Sequence, residues 1–83
     1  MTEQGRAFLV LHPDDNVATL IDSREQVAVL ADGRPVDLGV AFGHKCAITP
    51  IPAGTPIIKY GVAIGQSLVD IRPGEHVHVH NCR

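Results

Sequence analysis

The chain has 83 residues, enough for one small domain, and its 45% of hydrophobic residues excludes a disordered tail. The formal net charge is −2 and the lysines and arginines are scattered along the sequence, so we expect neither a nucleic-acid partner nor an anionic membrane surface. No apolar run approaches the roughly 20 residues that cross a bilayer, and the polar residues 1–6 lack the apolar core of a signal peptide.

Short apolar stretches rich in valine and isoleucine predict strands, and turn signals separate them. We place strands at residues 7–11, 27–30, 36–42, 46–51, 56–60 and 76–80. The pair Asp32-Gly33 predicts a hairpin between the second and third of these. Residues 17–26 come closest to a helical period, followed by residues 65–69. The predicted fold class is a single small all-β domain over residues 1–83, with its core at 7–81 and at most one or two short helical turns.

The two cysteines, Cys46 and Cys82, are too few for a disulfide framework. Because nothing in the sequence marks secretion, we interpret both as reduced thiols and predict a cytoplasmic protein. Cys46 is interpreted as a small core residue, since unpaired cysteines are usually buried.

The first polar group is the triplet Asp14, Asp15 and Asn16. Its side chains predict an Asx-type turn before the next apolar residues. Its oxygens can also hold a cation or the hydroxyl groups of a substrate. Both interpretations stay open at this point.

Gly43-His44-Lys45 is a second candidate site. The glycine lets the backbone bend or approach a ligand closely. His44 can donate a hydrogen bond or shuttle a proton, and Lys45 can bind a carboxylate as a point charge. The alternative is an exposed loop with two solvated side chains.

Lys59-Tyr60-Gly61 is the third candidate, at the end of an apolar stretch. Lys59 can attract an anion and Tyr60 can donate a hydrogen bond to it. The alternative is a tyrosine that closes the edge of the core, with the lysine stem lying over it.

The most unusual segment is residues 74–81, where histidine and valine alternate. In a strand the three histidines share one face and the two valines share the other, which can pack on the core. The histidines are His76, His78 and His80, and the valines are Val77 and Val79. Imidazoles spaced in this way can bind a metal ion or a carboxylate, or transfer protons; the alternative is a solvated strand face. On this register we expect His78→Ala to be tolerated and Val79→Asp to unfold the domain.

Five segments occur in the order and spacing typical of one family, namely residues 15–19, 43–45, 58–61, 64–65 and 74–81. Together they resemble the N-terminal SAF domain of altronate and galactarate dehydratases, and the separate small subunit of split members such as sulfolactate sulfo-lyase. The resemblance covers residues 7 to 81. One departure lies at Asp22 to Gln26, where many members carry a turn that contains glycine.

The resemblance implies a β-clip fold of SAF type and a lyase that acts on a sugar acid such as altronate or galactarate. Such an enzyme removes a proton next to a carboxylate and expels water or sulfite, and the developing charge needs a divalent metal or cationic residues. The implied metal is iron or manganese, and the implied partner is a larger catalytic subunit or domain. A homo-oligomer stays open. The implied residues are His44, Lys45, His78 and His80 for catalysis, Asp15, Asn16, Lys59, Tyr60 and Asn81 for substrate binding, and His76 and His78 for the metal.

A domain of this length rarely encloses a sugar acid in a dry pocket, so we expect the chain to be inactive alone and to complete a site with the larger partner. One alternative is a non-catalytic module with the SAF fold that binds substrate or supports assembly. Another is an independent metal-binding β-domain, which would require tight, stoichiometric metal in the isolated chain.

Overall fold

The computed structural model describes residues 5–83, which form two antiparallel sheets. The strands are β1 (Phe8–Leu9), β2 (Val17–Leu20), β3 (Lys45–Ala47), β4 (Pro56–Lys59), β5 (Val62–Gln66) and β6 (His76–Val77). The larger sheet has the order β1-β2-β3-β6, and β4 and β5 form a hairpin beside it. Residues 5–83 contain no helix, and therefore none that is long and apolar enough to cross a membrane. The predicted all-β fold class is confirmed.

Several predicted elements differ from the observed ones. Residues 17–26 contain no helix: the first four of them form β2, which is paired on both sides and buried along its whole length, and residues 24–27 form a single hydrogen-bonded turn. Residues 65–69 contain no helical turn either, because β5 continues through Gln66. Residues 36–42 are not a strand, since a turn with Gly39 at φ 86° interrupts them. The predicted strand at residues 76–80 ends at Val77, where the chain enters a turn.

The larger sheet separates two hydrophobic cores, which explains why β2 is buried on both faces. The first core contains Val17, Ala47, Ile51, Ile57, Ile71 and Val77. The second core contains Ala18, Leu20, Leu30, Val36, Val40 and Cys46. Cys46 therefore lies in the core as predicted, and burial raises the pKa of its thiol to about 11. A thiol in this state is protonated and unreactive near neutral pH.

The turn predicted at Asp32-Gly33 is present, but the segments at 27–30 and 36–42 that it was expected to join are not strands. Val29 and Pro35 form an antiparallel bridge across it, and Gly33 adopts a φ of 93° that a residue with a side chain rarely accepts. Leu30, just before this turn, packs in the second core and thereby holds the irregular segment against the sheet.

Arg6 is completely buried and ties the start of the domain to the segment after β2. Its Nε donates to Oδ1 of Asp22 at 2.8 Å, and a second guanidinium nitrogen donates to the Asp22 carbonyl at 3.0 Å. The other oxygen of the carboxylate accepts hydrogen bonds from the Ala7 N–H and from Arg24. Asp22 thus anchors the loop at which the sequence departs from the family pattern.

We expect this carboxylate to make the domain sensitive to acid. Burial alone would raise the pKa of Asp22, but hydrogen bonds from Ala7, Arg6 and Arg24 outweigh it and lower that pKa from 3.8 to about 2. The folded state therefore gains stability from Asp22 above about pH 4 and loses it as the pH falls towards 2. Thermal unfolding at stepped pH should show this loss in the unmodified chain and not in Asp22→Asn.

At neutral pH Asp22→Asn should be less stable by about 2 to 3 kcal/mol, the amount that the lowered pKa implies, because the buried guanidinium of Arg6 loses its counter-charge. Asp14→Asn is the matched control, since the Asp14 side chain is 79% exposed. An equal acid sensitivity of Asp22→Asn and the unmodified chain would contradict this role of Asp22.

Candidate functional site

Four of the five histidines gather at one end of the larger sheet, and we call His44, His76, His78 and His80 the imidazole cluster. The ring centroids of His44 and His78 are 4.8 Å apart, and those of His44 and His76 are 5.1 Å apart. Nδ1 of His44 lies 2.9 Å from Nε2 of His76, so one ring donates a hydrogen bond to the other. His80 is exposed at the margin, with its centroid 5.6 Å from that of His76.

The register of β3 and β6 creates the cluster. Cys46 pairs with His76 and Lys45 pairs with Val77. Continuing this antiparallel register by one residue brings His44 opposite His78, and cross-strand neighbours share one face. The strand pairing therefore unites two motifs that lie 32 residues apart in the chain.

Asn81 fixes the two central histidines through their backbone. It is 1% exposed, and its side chain accepts a hydrogen bond from the N–H of His78 at 2.9 Å and donates one to the carbonyl of His76 at 2.8 Å. Both polar atoms of the amide are thus engaged within the turn that follows β6. The structure gives Asn81 a positioning role, and its direct contact with substrate stays a prediction.

The donor set of the cluster fits a divalent metal ion. His44, His76 and His78 offer ring nitrogens that all lie within 4.8 Å of one another. With metal–nitrogen bonds of about 2.1 Å, two ligand nitrogens on one ion are about 3 to 3.4 Å apart. The nitrogens of His44 and His76 are 2.9 Å apart, and both rings would turn from their mutual hydrogen bond towards the ion. Burial, and then the like charges of the neighbouring imidazoles, lower the pKa of His76, which favours the neutral ring that binds metal.

Asp15 holds the turn that carries Lys59 and Tyr60. The carboxylate is 6% exposed, with Oδ1 accepting the N–H of Gly61 at 2.8 Å and Oδ2 accepting that of Leu11 at 3.1 Å. Burial would raise the pKa of Asp15, yet these and other backbone hydrogen bonds lower it. Asp15 is therefore ionised near neutral pH, and both of its carboxylate oxygens accept hydrogen bonds from backbone N–H groups.

Asn16 fastens β4 in the same way. Its side chain accepts a hydrogen bond from the N–H of Ile58 at 2.8 Å and donates one to the carbonyl of Pro56 at 2.9 Å. The predicted Asx turn is thus joined to a distant strand, 40 or more residues away in the chain. Substrate binding by Asp15 and Asn16 stays a prediction, while their visible role is to position the Lys59-Tyr60 turn.

Tyr60 lies over the face of the larger sheet that borders the first core. It has a φ of 54°, an uncommon conformation for a residue with a bulky side chain. Its hydroxyl donates to Oγ1 of Thr19 at 3.2 Å, and the Lys59 ammonium lies 4.9 Å from the centre of its ring. Lys59 and Tyr60 are therefore held together, as their adjacent positions suggested.

Lys45 points away from His44, although the two residues are neighbours in the chain. It pairs across the strands with Thr19 and with Val77, so it shares the face that borders the first core. His44 joins the imidazole cluster on the other face. The motif Gly43-His44-Lys45 therefore supplies side chains to both faces of the sheet and not to one site. Thr19, the cross-strand neighbour of Lys45, was not predicted from the sequence, because a threonine inside a strand carries no distinguishing signal.

Comparison with known proteins decides the family. Residues 6–83 match the model of the altronate/galactarate dehydratase SAF domain. The chain belongs to this family. The resemblance noted in the sequence is thus confirmed, and the segments that carried it are those that build or fasten the two groups of side chains described above.

The relatives of this SAF domain fall into two kinds. It is 47% identical over 79 residues to an altronate dehydratase of Escherichia coli (strain K12), an alignment that covers 92% of this chain and 16% of that protein. An altronate dehydratase of Bacillus subtilis (strain 168) is 36% identical, again with 16% of its length covered. The (2R)-sulfolactate sulfo-lyase subunit alpha of Chromohalobacter salexigens is 33% identical over 86 residues, which cover 92% of each chain. The SAF domain thus spans a small part of the dehydratases and nearly all of the sulfo-lyase subunit.

Proposed function

We propose that this chain is the small component of a lyase that eliminates water from a sugar acid, and that the imidazole cluster is its main contribution to the active site. The observation that carries the proposal is the convergence of His44, His76 and His78, with nitrogens close enough to bind one ion. The names of the relatives supply the reaction class, namely altronate dehydratase and sulfolactate sulfo-lyase. Elimination of sulfite from a sulfo-hydroxy acid is the second form of the same chemistry.

In this reaction a proton leaves the carbon next to the carboxylate and a hydroxyl group leaves the following carbon as water. A divalent ion bound by His44, His76 and His78 would supply positive charge that stabilises the oxygens on which negative charge develops. Three nitrogen donors without a carboxylate favour iron over manganese, which prefers oxygen ligands. His80 is exposed beside His76, and we assign to it the exchange of a proton with substrate.

The larger component is needed because the cluster is open on this chain. His44, His76 and His78 are only partly buried, and His80 is exposed. A catalytic site excludes water and surrounds its substrate, which requires a covering surface. The altronate dehydratases have more than this domain to provide that surface, because the chain spans 16% of their length.

We expect the 83-residue chain alone to show no turnover of altronate or galactarate. The test uses the altronate dehydratase of Escherichia coli with the segment that matches this chain removed, assayed for dehydration with and without the 83-residue chain, and a parallel assay follows sulfite release from sulfolactate. Activity that appears only in the mixture supports the composite site. Robust turnover by the 83-residue chain alone would refute it, and full activity of the truncated enzyme without the chain would favour a non-catalytic assembly module.

A further inference from the structure

The sequence has two lysines, Lys45 and Lys59, and neither forms an ion pair with a carboxylate among residues 5–83. Across residues 5–83, the acidic side chains within 4.0 Å of a cation belong to ion pairs with histidine or arginine. Four arginines are paired in this way, namely Arg6, Arg24, Arg34 and Arg72. Both ammonium groups therefore remain available to an anion from outside the chain.

Both lysines are linked to Thr19, on the face of the larger sheet that borders the first core. Lys45 is the cross-strand partner of Thr19, and such partners have Cβ atoms about 4.5 to 5.5 Å apart. The Tyr60 hydroxyl reaches the oxygen of Thr19 from above, and the Lys59 ammonium lies over the Tyr60 ring. Thr19 thus has Lys45 as its cross-strand neighbour and the Tyr60 hydroxyl, with Lys59 beside it, as its hydrogen-bond donor.

The patch is held in place before any ligand arrives. Asp15 accepts the N–H of Gly61 and so fixes the turn in which Tyr60 keeps its positive φ. Non-glycine residues in this conformation persist where surrounding contacts impose them, and they concentrate at binding sites. A preorganised arrangement of this kind loses little freedom when an anion binds.

We propose that Lys45, Lys59 and Tyr60 form a binding site for a carboxylate or sulfonate group, on the sheet face opposite the imidazole cluster. The ammonium groups neutralise the anion and the Tyr60 hydroxyl turns from Thr19 to donate to it. The inference rests on the proposed function in naming an acid as the ligand. Lys45 directly follows His44 in the chain, but their side chains lie on opposite faces of the sheet, so the two sites are separate.

The experiment measures binding without turnover or metal. Galactarate and inorganic sulfate are titrated separately into the isotope-labelled 83-residue chain in the presence of a chelator, and backbone amide resonances are followed by NMR. We expect saturable shifts at Thr19, Lys45, Lys59 and Tyr60. Tighter binding of galactarate identifies a carboxylate site, and tighter binding of sulfate identifies a sulfonate site.

Variants separate this site from the imidazole cluster. Lys59→Met and Tyr60→Phe should each weaken binding by roughly tenfold or more, as expected for loss of a hydrogen bond to a charged group. Arg34→Gln removes one charge elsewhere on the surface and should leave binding unchanged, as should His78→Ala. The proposal is overturned if neither anion gives saturable shifts, or if Arg34→Gln weakens binding as much as Lys59→Met. Neither result bears on the reconstitution assay, so the two proposals fail separately.

Discussion

A carboxylate in place of Val77 is expected to unfold the domain. Val77 is completely buried in the first core, where its neighbours are other aliphatic side chains. An unpaired buried charge costs several kcal/mol, which is comparable with the total stability of about 5 to 15 kcal/mol of a folded domain. Val77→Asp should therefore show no cooperative thermal transition by circular dichroism and collapsed amide dispersion by NMR.

Val79→Asp is the matched control for this variant. It places the same carboxylate two residues further along, in the turn after β6, where Val79 is 78% exposed. We expect its stability to stay within about 0.5 kcal/mol of the unmodified chain. This reverses the expectation from an unbroken alternating strand, which buried both valines and was wrong for Val79. A folded Val77→Asp beside an unfolded Val79→Asp would contradict the observed register.

The second large effect is expected for His44→Ala in the assembled enzyme. The imidazole of His44 touches both His76 and His78, and it supplies one of the three nitrogens that can bind one ion. Its loss should lower turnover by roughly a hundredfold to ten-thousandfold, the range for losing a proton-transfer or charge-stabilising group. Bound metal, measured by elemental analysis of the purified assembly, should fall with it, while the thermal midpoint stays close to that of the unmodified protein.

His12→Ala is the control, since His12 is the one histidine outside the imidazole cluster and its ring lies beside Gly61. We expect this variant to keep both its metal and its turnover. If His44→Ala retained full activity, or if His12→Ala lost as much, the proposed role of the imidazole cluster would be refuted.

The candidate site illustrates how far a sequence pattern reaches. The alternation of histidine and valine correctly indicated that His76 and His78 lie together, because even a two-residue strand and its following turn keep them near each other. The pattern could not add His44, which comes from a different motif and arrives through strand pairing. Nor could it separate Lys45 from His44, since only the register shows that they face opposite sides of the sheet.

The predicted roles of the polar residues rested on their chemical type, whereas the structure shows their actual hydrogen-bond partners. Asp15, Asn16 and Asn81 carry groups that suit a sugar acid, so the sequence placed them at the substrate. In the fold these groups bond to backbone N–H and carbonyl groups, because buried segments without regular strand pairing still require hydrogen-bond partners. Such contacts join residues far apart in the chain and leave no local signature.

By itself the sequence determined the family, the all-β class and the turn at Asp32-Gly33. These follow from composition, turn chemistry and motif order, which are local properties. The tertiary structure alone decided that β2 is buried on both faces, that β6 ends at Val77, and that His44 joins the other imidazoles on one face of the sheet while Lys45 lies on the other. These features depend on strand register, and register is set by how two separate cores pack against the same sheet rather than by any short segment of chain.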